Sequence, residues 1–190
     1  MEPTPHRGFV VWFTGLPGAG KSTLARIVGH RLEAYGLRVD SLDGDAARAR
    51  YSEGLGYSKE DRDTNIARLA SASSQLARAG TVAIVAAISP YAEARRRARA
   101  LVEEHAPFIE VYVATPLDEC IRRDPKGLYA RAIANEIPAF TGISDPYEPP
   151  VDPDLRLDTC ACRPDESAGL VIRHLEELGL VSLAAVRSST

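Results

Sequence analysis

Short apolar runs alternate with amphipathic segments along most of the chain. Runs at 9–13, 37–42, 81–88 and 108–115 are rich in β-branched or aromatic residues and predict buried strands, and a weaker run at 155–158 predicts a fifth. Strands that alternate with helices form parallel sheets covered on both faces. The pattern therefore predicts an α/β fold, with a parallel sheet of about five strands and helices on both faces.

The segments between these runs have the spacing of helices. The first helix is predicted from Leu24, Ile27, Val28 and Leu32. Ser58, with Asp61 three residues later, forms a capping-box pattern before a second helix, and Gly80 stands where a glycine cap would end it. A third helix is predicted to start at Pro90, and a fourth at the sequence "PLDECIRR". The last helix is predicted over residues 165–178.

The sequence "GLPGAGKST", residues 15–23, joins the first strand to the first helix and fits the pattern G-x-x-x-x-G-K-[ST]. In this motif backbone N–H groups surround nucleotide phosphates, the lysine reaches the β- and γ-phosphates, and the first hydroxyl ligates Mg²⁺. A glycine-rich turn without a ligand is the alternative, and the flanking strand and helix favour the nucleotide. We assign to ATP binding the residues Gly15, Gly18, Gly20, Lys21, Ser22 and Thr23, with Ser22 as a ligand of Mg²⁺.

Length and charge narrow the class of protein. The 190 residues suggest a single kinase-sized domain over 1–180 with a tail at 181–190. A net charge of −3 without a clustered basic surface gives no indication of nucleic-acid binding. The basic run at Arg95, Arg96, Arg97 and Arg99 is interpreted as the solvated face of a helix.

Three cysteines, Cys120, Cys160 and Cys162, fit a reducing compartment, and the Cys-Ala-Cys pair lacks the second half of a zinc site. No run approaches the ~20 apolar residues of a membrane span, and the first residues lack an apolar signal core. We therefore expect no membrane association and a cytoplasmic location.

Polar residues follow the strands at the edge where the phosphate loop lies. Asp43 and Asp45 end the second strand, and Ser89 follows the third. Ligands of such sheets bind at the carboxyl ends of the strands, so these side chains are expected beside the phosphates, although an Asp-Gly turn whose carboxylates only cap backbone amides is the alternative. Arg48 with Arg62 and Asn65 could add an anion-binding wall. The guanine-reading sequence N-K-x-D is absent, and a small-molecule kinase is the expectation at this size.

The chain resembles the adenylylsulfate kinases over about residues 10–159. The resemblance rests on the phosphate loop and on the more specific sequences "LDGDAAR", "LGYSKEDRDTNI", "ISPY", "FIEVYVATPLDECIRRDPKGLYARA" and "FTGISDPYEPP". It implies transfer of the γ-phosphate of ATP to the 3′-hydroxyl of adenosine 5′-phosphosulfate (APS), with Mg²⁺ as cofactor. It also implies a homodimer.

The resemblance implies roles for individual residues. Asp43 would be the proton acceptor or a metal-facing carboxylate, and Asp45 would support the acceptor and Mg²⁺ site. The phosphosulfate would be held by Arg48, Arg62 and Asn65. The adenine would lie between Tyr57 and Phe140, since a purine offers two faces for stacking.

The acceptor pocket would also include Ile88 and Ser89, and the ATP site would include Arg123. Lys126 would belong to a lid over the phosphates. The alternatives are that Ser89 is the N-cap of the helix predicted at Pro90 and that Lys126 is part of a solvated, charged helix end.

Several positions depart from the family pattern: Pro17, Ala19, Ala46, Tyr57 and Ser144. None removes a group that the chemistry needs, but Ala46 and Tyr57 flank the proposed acceptor pocket. A kinase of the same build that acts on another hydroxylated metabolite is therefore the second hypothesis. A nucleotide-binding module without turnover is the third, and the joint presence of Lys21, Ser22 and Asp43 argues against it.

Overall fold

The computed structural model describes residues 8–43 and 53–182, and their strands form one parallel sheet. Its strands, in the order β2-β3-β1-β4-β5, confirm the predicted five-stranded architecture. They are β1 (Val10–Thr14), β2 (Val39–Asp43), β3 (Val82–Ala86), β4 (Phe108–Val113) and β5 (Leu155–Leu157). The second strand runs one residue further than predicted, so Asp43 belongs to the sheet itself.

Six helices are described, and two of them differ from the sequence-based prediction. They are α1 (Lys21–Ala34), α2 (Lys59–Arg78), α3 (Ala92–Glu103), α4 (Leu117–Arg123), α5 (Leu128–Ile133) and α6 (Pro164–Glu177). The short α5 was not predicted. The third helix begins at Ala92 rather than at Pro90, because the carboxylate of Glu148 accepts a hydrogen bond from the Ala92 N–H at 2.7 Å. Its N-cap residue is Tyr91, so Ser89 is not the N-cap.

The predicted ends of α2 are confirmed. The hydroxyl of Ser58 accepts a hydrogen bond from the Asp61 N–H at 3.1 Å and donates one to the Asp61 carboxylate at 2.8 Å. Gly80 follows the helix in the left-handed conformation, with φ 76°, and its N–H bonds to the carbonyl of Ala77. These caps satisfy backbone groups that a helix leaves unpaired at its ends.

Two hydrophobic clusters cover the sheet, one on each face. Val11 and Phe13 of β1 belong to the cluster that contains α1 and α6, whereas Val10 and Trp12 belong to the cluster with α2 and α3. This alternation is the period of two that strand geometry imposes on side chains. Within residues 8–43 and 53–182, no helix combines the length and the hydropathy needed to cross a bilayer.

Candidate active site

A cleft of about 850 Å³ opens at the carboxyl ends of the strands. Strand order changes direction around β1, and such switch points are where open α/β sheets bind ligands. The cleft is lined by most of the predicted site residues: Gly18, Gly20, Lys21, Ser22, Thr23, Asp43, Tyr57, Arg62, Asn65, Ile88, Ser89, Arg123, Lys126 and Phe140. Gly15 is not among the lining residues, but its carbonyl accepts a hydrogen bond from the lining residue Lys21. Asp45, Arg48 and Ala46 lie outside the described residues.

The phosphate loop has the conformation that its glycines permit. Gly15, Gly18 and Gly20 have φ values of 150°, 73° and 106°, and L residues with a side chain rarely adopt such values. A Cβ on Gly15 would also lie 2.6 Å from the carbonyl oxygen of Val113, closer than real contacts allow. Gly20 is the N-cap of α1, so the loop leads directly into a helix N-terminus, which attracts anions.

Lys21 is folded back onto this loop. Its Nζ donates hydrogen bonds to the carbonyl oxygens of Gly15, at 2.9 Å, and Leu16, at 2.8 Å. Burial lowers the pKa of Lys21 to about 8, and the negative charge of Asp43 partly opposes that shift. The lysine is therefore a cation held in a poorly hydrated position, where a phosphate would be a strong counter-charge.

Ser22 and Asp43 meet where the start of α1 lies beside the end of β2. The Ser22 hydroxyl donates to Oδ1 of Asp43 at 2.9 Å. Oxygen ligands of this kind suit Mg²⁺, which keeps several waters and takes further ligands from phosphates. No group of three or more His, Cys, Asp or Glu side chains that could hold a metal occurs in the described ranges.

Arg123 lines the same cleft and is held by Glu119 and Thr159. It donates to the carboxylate of Glu119 at 2.6 Å and to the hydroxyl and carbonyl of Thr159 at 3.2 and 3.1 Å. The carboxylate of Asp124 accepts from backbone N–H groups at the start of α5, where Gly127 is the N-cap with φ 64°. This turn carries the exposed Lys126 to the lip of the cleft.

On the acceptor side, Arg62 connects α2 to the segment 139–145. Its guanidinium donates to the hydroxyl of Thr141 and to the carbonyl of Ala139, and its Nε donates to the carbonyl of Tyr57 at 2.9 Å. It also forms an ion pair with Asp145 at 3.4 Å. Arg62 therefore lines the cleft with much of its donor capacity used by protein oxygens. Asn65, one helical turn further along α2, lines the same cleft.

Two aromatic side chains line the acceptor side at different depths. Phe140 is half-buried and packs edge-on against Tyr129, with ring centroids 5.1 Å apart. Tyr57 is 60% exposed. The Phe140 N–H donates to the hydroxyl of Ser144 at 2.9 Å, so this serine caps the loop at a position where the family often has an acid. The hydroxyl of Tyr129 donates to the carbonyl of Pro17 at 2.9 Å and links Phe140 to the phosphate loop.

The backbone at Ile88 and Ser89 is held from inside the protein. The hydroxyl of Thr14 donates to the Ile88 carbonyl at 2.8 Å, and the indole N–H of Trp12 donates to the Ser89 hydroxyl at 3.1 Å. Arg95 donates to the Ser89 carbonyl at 2.7 Å. Ser89 itself has φ 42°, which is uncommon for a residue other than glycine.

The prediction of a solvated arginine face is wrong for Arg95. Its side chain is 4% exposed and pairs with Glu110 at 3.0 Å, whereas Arg96 and Arg97 are exposed and pair with Glu93. The signal was present in the sequence, because Arg95 lies on the helix face that also carries Ala98 and Val102. Sequence reasoning also missed Thr141, which lines the cleft, and the side chains that contact its lining residues or support these contacts: Trp12, Thr14, Asp145 and Tyr147.

A family model described as adenylylsulphate kinase matches residues 7–158. The chain belongs to the adenylylsulfate kinase family. Among curated adenylyl-sulfate kinases, one from Picosynechococcus is 48% identical over 93% of this chain and 98% of its own, and one from Halothermothrix orenii is 50% identical over 94% and 95%. The predicted family is thereby confirmed.

Solved structures of the family agree with this fold. The APS kinase of Mycobacterium tuberculosis, in complex with AMPPNP and APS, is 47% identical and superposes with a TM-score of 0.88. The match covers 90% of this chain and 99% of that one. The shikimate kinase of Aquifex aeolicus, at 16% identity and a TM-score of 0.55, shares the fold alone.

Proposed function

We propose that this protein transfers the γ-phosphate of ATP to the 3′-hydroxyl of APS and so forms 3′-phosphoadenosine 5′-phosphosulfate (PAPS). The observation that carries the proposal is a single cleft that is lined both by a phosphate loop and by an arginine with aromatic side chains. The relative from M. tuberculosis has been solved with AMPPNP and APS together. In the reaction, the bond between the γ-phosphorus and the β,γ-bridging oxygen breaks, and a bond from the 3′-oxygen to that phosphorus forms.

The proposed ATP site follows from the phosphate loop. Backbone N–H groups between Gly15 and Gly20 would surround the phosphates, and Lys21 would move from the loop carbonyls to the β- and γ-phosphates. Thr23 at the start of α1 and Arg123 near Thr159 complete the site. Preorganised donors of this kind stabilise the charge that develops in phosphoryl transfer.

Asp43 is the proposed proton acceptor for the 3′-hydroxyl. Support comes from its position at the end of β2, where the carboxylate lines the cleft and accepts a hydrogen bond from Ser22 of the phosphate loop. Ser22 and Asp43 would also hold Mg²⁺, which neutralises phosphate charge when it is bound. Asp45, proposed to support this site, lies outside the described residues.

The proposed acceptor site consists of side chains from several segments. Arg62 and Asn65 would hold the phosphosulfate together with Arg48, which lies outside the described residues. Guanidinium groups bind such anions with strong, charge-assisted hydrogen bonds. The sulfate or phosphate oxygens would compete with Thr141 and the Ala139 carbonyl for Arg62, so acceptor binding would loosen the segment 139–145 from α2.

The remaining walls complete an adenine-sized site. Phe140 and Tyr57 would stack on the adenine, and Ile88 and Ser89 would form the wall on the β3 side. Lys126 would close over the phosphates from the lip of the cleft. Together these groups describe an anionic purine nucleotide as the acceptor.

The proposal extends to the state of the whole protein. It includes one kinase domain over 1–180, supported by a single sheet with a core on each face. It includes a homodimer, which the family resemblance implies and which light scattering on the purified protein tests. It also includes a cytoplasmic location, where the three free thiols would stay reduced.

An acceptor screen tests the proposal. ADP formation with ATP and Mg²⁺ is measured with APS and, in parallel, with shikimate, gluconate and adenosine 5′-monophosphate. We expect rapid turnover with APS and a product that carries the new phosphate at the 3′ position. Turnover with another alcohol and none with APS would support the second hypothesis, and Ala46 and Tyr57 would be the first positions to examine. No turnover with any acceptor would favour the non-catalytic module.

A further inference from the structure

Three buried donors hold the wall formed by Ile88 and Ser89, and none of them lines the cleft. Thr14, Trp12 and Arg95 are 0%, 0% and 4% exposed. Thr14 donates to the Ile88 carbonyl and Trp12 to the Ser89 hydroxyl. Arg95 donates to the Ser89 carbonyl. Both wall carbonyls are thus turned toward the interior, so their negative oxygens do not face an anionic acceptor.

The direction of one hydrogen bond follows from the number of protons. Thr14 has one hydroxyl proton, and it is donated to the Ile88 carbonyl. The contact of 3.0 Å between Thr14 and Tyr147 therefore has the tyrosine as donor. Burial raises the pKa of Tyr147 well above its usual value, so its hydroxyl keeps the proton that it donates. Tyr147, Thr14 and Ile88 form a continuous chain of hydrogen bonds.

The segment from Asp145 to Glu148 holds both sides of the acceptor end. Asp145 pairs with Arg62 on α2. Glu148 accepts from Arg95 through its carbonyl, at 2.7 Å, and its N–H bonds to the Pro90 carbonyl. The guanidinium of Arg95 thus joins two backbone carbonyls, of Ser89 and Glu148, through different nitrogens. The planar fork of arginine is suited to this double contact, and a lysine ammonium is not.

We propose that Arg95 is a positioning residue that fixes the Ile88–Ser89 wall for the acceptor, with Trp12, Thr14 and Tyr147 as its partners. The proposal rests on the assignment of this end of the cleft to APS. It gives the segment 145–148 a function as the support of that wall. It also gives a reason for the buried guanidinium of Arg95 beside Ser89, since a charge is costly to bury unless it is paired and hydrogen-bonded.

The test compares Arg95→Lys with Arg99→Lys. Arg99 lies one turn further along α3 and pairs with Glu103, Glu110 and Asp154, but makes no described bond to the wall. Arg95→Lys is expected to raise the KM for APS by about tenfold and to leave the KM for ATP within about twofold, as expected for a lost charge-assisted contact. Arg99→Lys is expected to lower the melting temperature without changing the KM for APS.

A second variant keeps the test decisive if Arg95→Lys folds poorly. Tyr147→Phe removes one hydroxyl and is expected to raise the KM for APS about threefold. Its control is Tyr112→Phe, which removes the hydroxyl of the ring that stacks on Tyr147 and is expected to leave the KM for APS unchanged. If Arg95→Lys and Tyr147→Phe change the KM values for APS and ATP equally, or lower the melting temperature with an unchanged KM for APS, the proposal is overturned.

Trp12 supplies a measurement that does not depend on turnover. It is the only tryptophan in the chain, so protein fluorescence excited at its absorption edge reports on the Trp12–Ser89 contact. Without any ligand, Arg95→Lys is expected to shift this emission and Arg99→Lys is not. An unchanged emission in Arg95→Lys would contradict the positioning role. Failure of the proposed function would appear separately, as absence of PAPS formation by the unsubstituted protein.

Discussion

The nucleotide end of the cleft is built by residues 15–23, whereas the acceptor end is built by side chains that lie far apart in the chain. In the first, glycine conformations and a helix N-terminus set the geometry, and Lys21 is held by carbonyls of its own loop. In the second, Arg62 is held by Thr141 and Ala139, and Ser89 by Trp12 and Arg95. A local backbone motif can bind nucleotide phosphates in many kinases. The long-range side-chain contacts, in contrast, determine which acceptor is bound.

The largest expected effect is the loss of phosphoryl transfer in a variant of the nucleotide end that still folds. Lys21→Ala should abolish transfer, since loss of one preorganised cation or donor typically costs about 10²–10³-fold or more. The fold should persist, because Lys21 contributes charge at the phosphates and its burial disfavours the charged form. Turnover and melting temperature are measured together, with Arg26→Ala, an exposed position on α1, as control. Near-normal turnover by folded Lys21→Ala would rule out the proposed chemistry.

A second substitution removes the charge of Asp43, the proposed proton acceptor. Asp43→Asn should lower kcat by about 10²-fold or more, because general-base assistance is typically worth ~10²–10⁴-fold, and should change ATP affinity less. The control is Asp40→Asn, an exposed carboxylate earlier in β2. A loss below about threefold would instead support a role for Asp43 in capping the turn.

A third substitution affects the acceptor end alone. Phe140→Ala should raise the KM for APS roughly tenfold, the size expected for loss of one stacking contact. The KM for ATP should stay within about twofold. Ile143→Ala, at a more exposed apolar residue of the same segment, is the matched control. Weaker ATP binding with unchanged APS binding would show that the two ends have been assigned in reverse.

The smallest effect is a pH dependence confined to the nucleotide end. The pKa of Lys21 is lowered to about 8 without ligand, and bound phosphates should raise it, since a nearby opposite charge favours the cation. The affinity for AMPPNP should therefore fall about fourfold between about pH 7 and about pH 8.5, as linkage requires for a proton taken up on binding. Calorimetric titration measures this fall. A constant affinity over that range would show that Lys21 stays charged without ligand.

The same lysine links pH to folding stability. The unfolded state, with the ordinary pKa, keeps a proton on Lys21 between about pH 8 and about pH 10.5, whereas the folded state has lost it. Stability contributed by this group therefore rises with pH across that window. Below it, both states are protonated and the cost of burying the cation is fully present.

The difference between the two ends also explains what the sequence could predict. The phosphate loop and the capped start of α2 at Ser58 depend on contacts within a few residues, and the five strands are visible as short apolar runs although their pairing is long-range. Arg95 was assigned to solvent although it shares a helix face with Ala98 and Val102, because the partners that stabilise its buried charge, Glu110 and the carbonyl of Glu148, are distant in sequence. The start of α3 was misplaced for the same reason, since Glu148 caps it. Family resemblance identified Phe140 and Lys126, which no local pattern distinguishes.

The central claim, that the 3′-hydroxyl of APS receives the γ-phosphate, is tested most directly with an acceptor that lacks this hydroxyl. With the 3′-deoxy analogue of APS, the account predicts binding to the AMPPNP-loaded protein with an affinity within about tenfold of that of APS, because the analogue lacks one hydrogen bond, the one to Asp43, and keeps the other contacts. It also predicts no formation of ADP from ATP above the acceptor-free background. ADP formation with this analogue at a rate close to that with APS would contradict the account, since the phosphate would then be transferred to another oxygen.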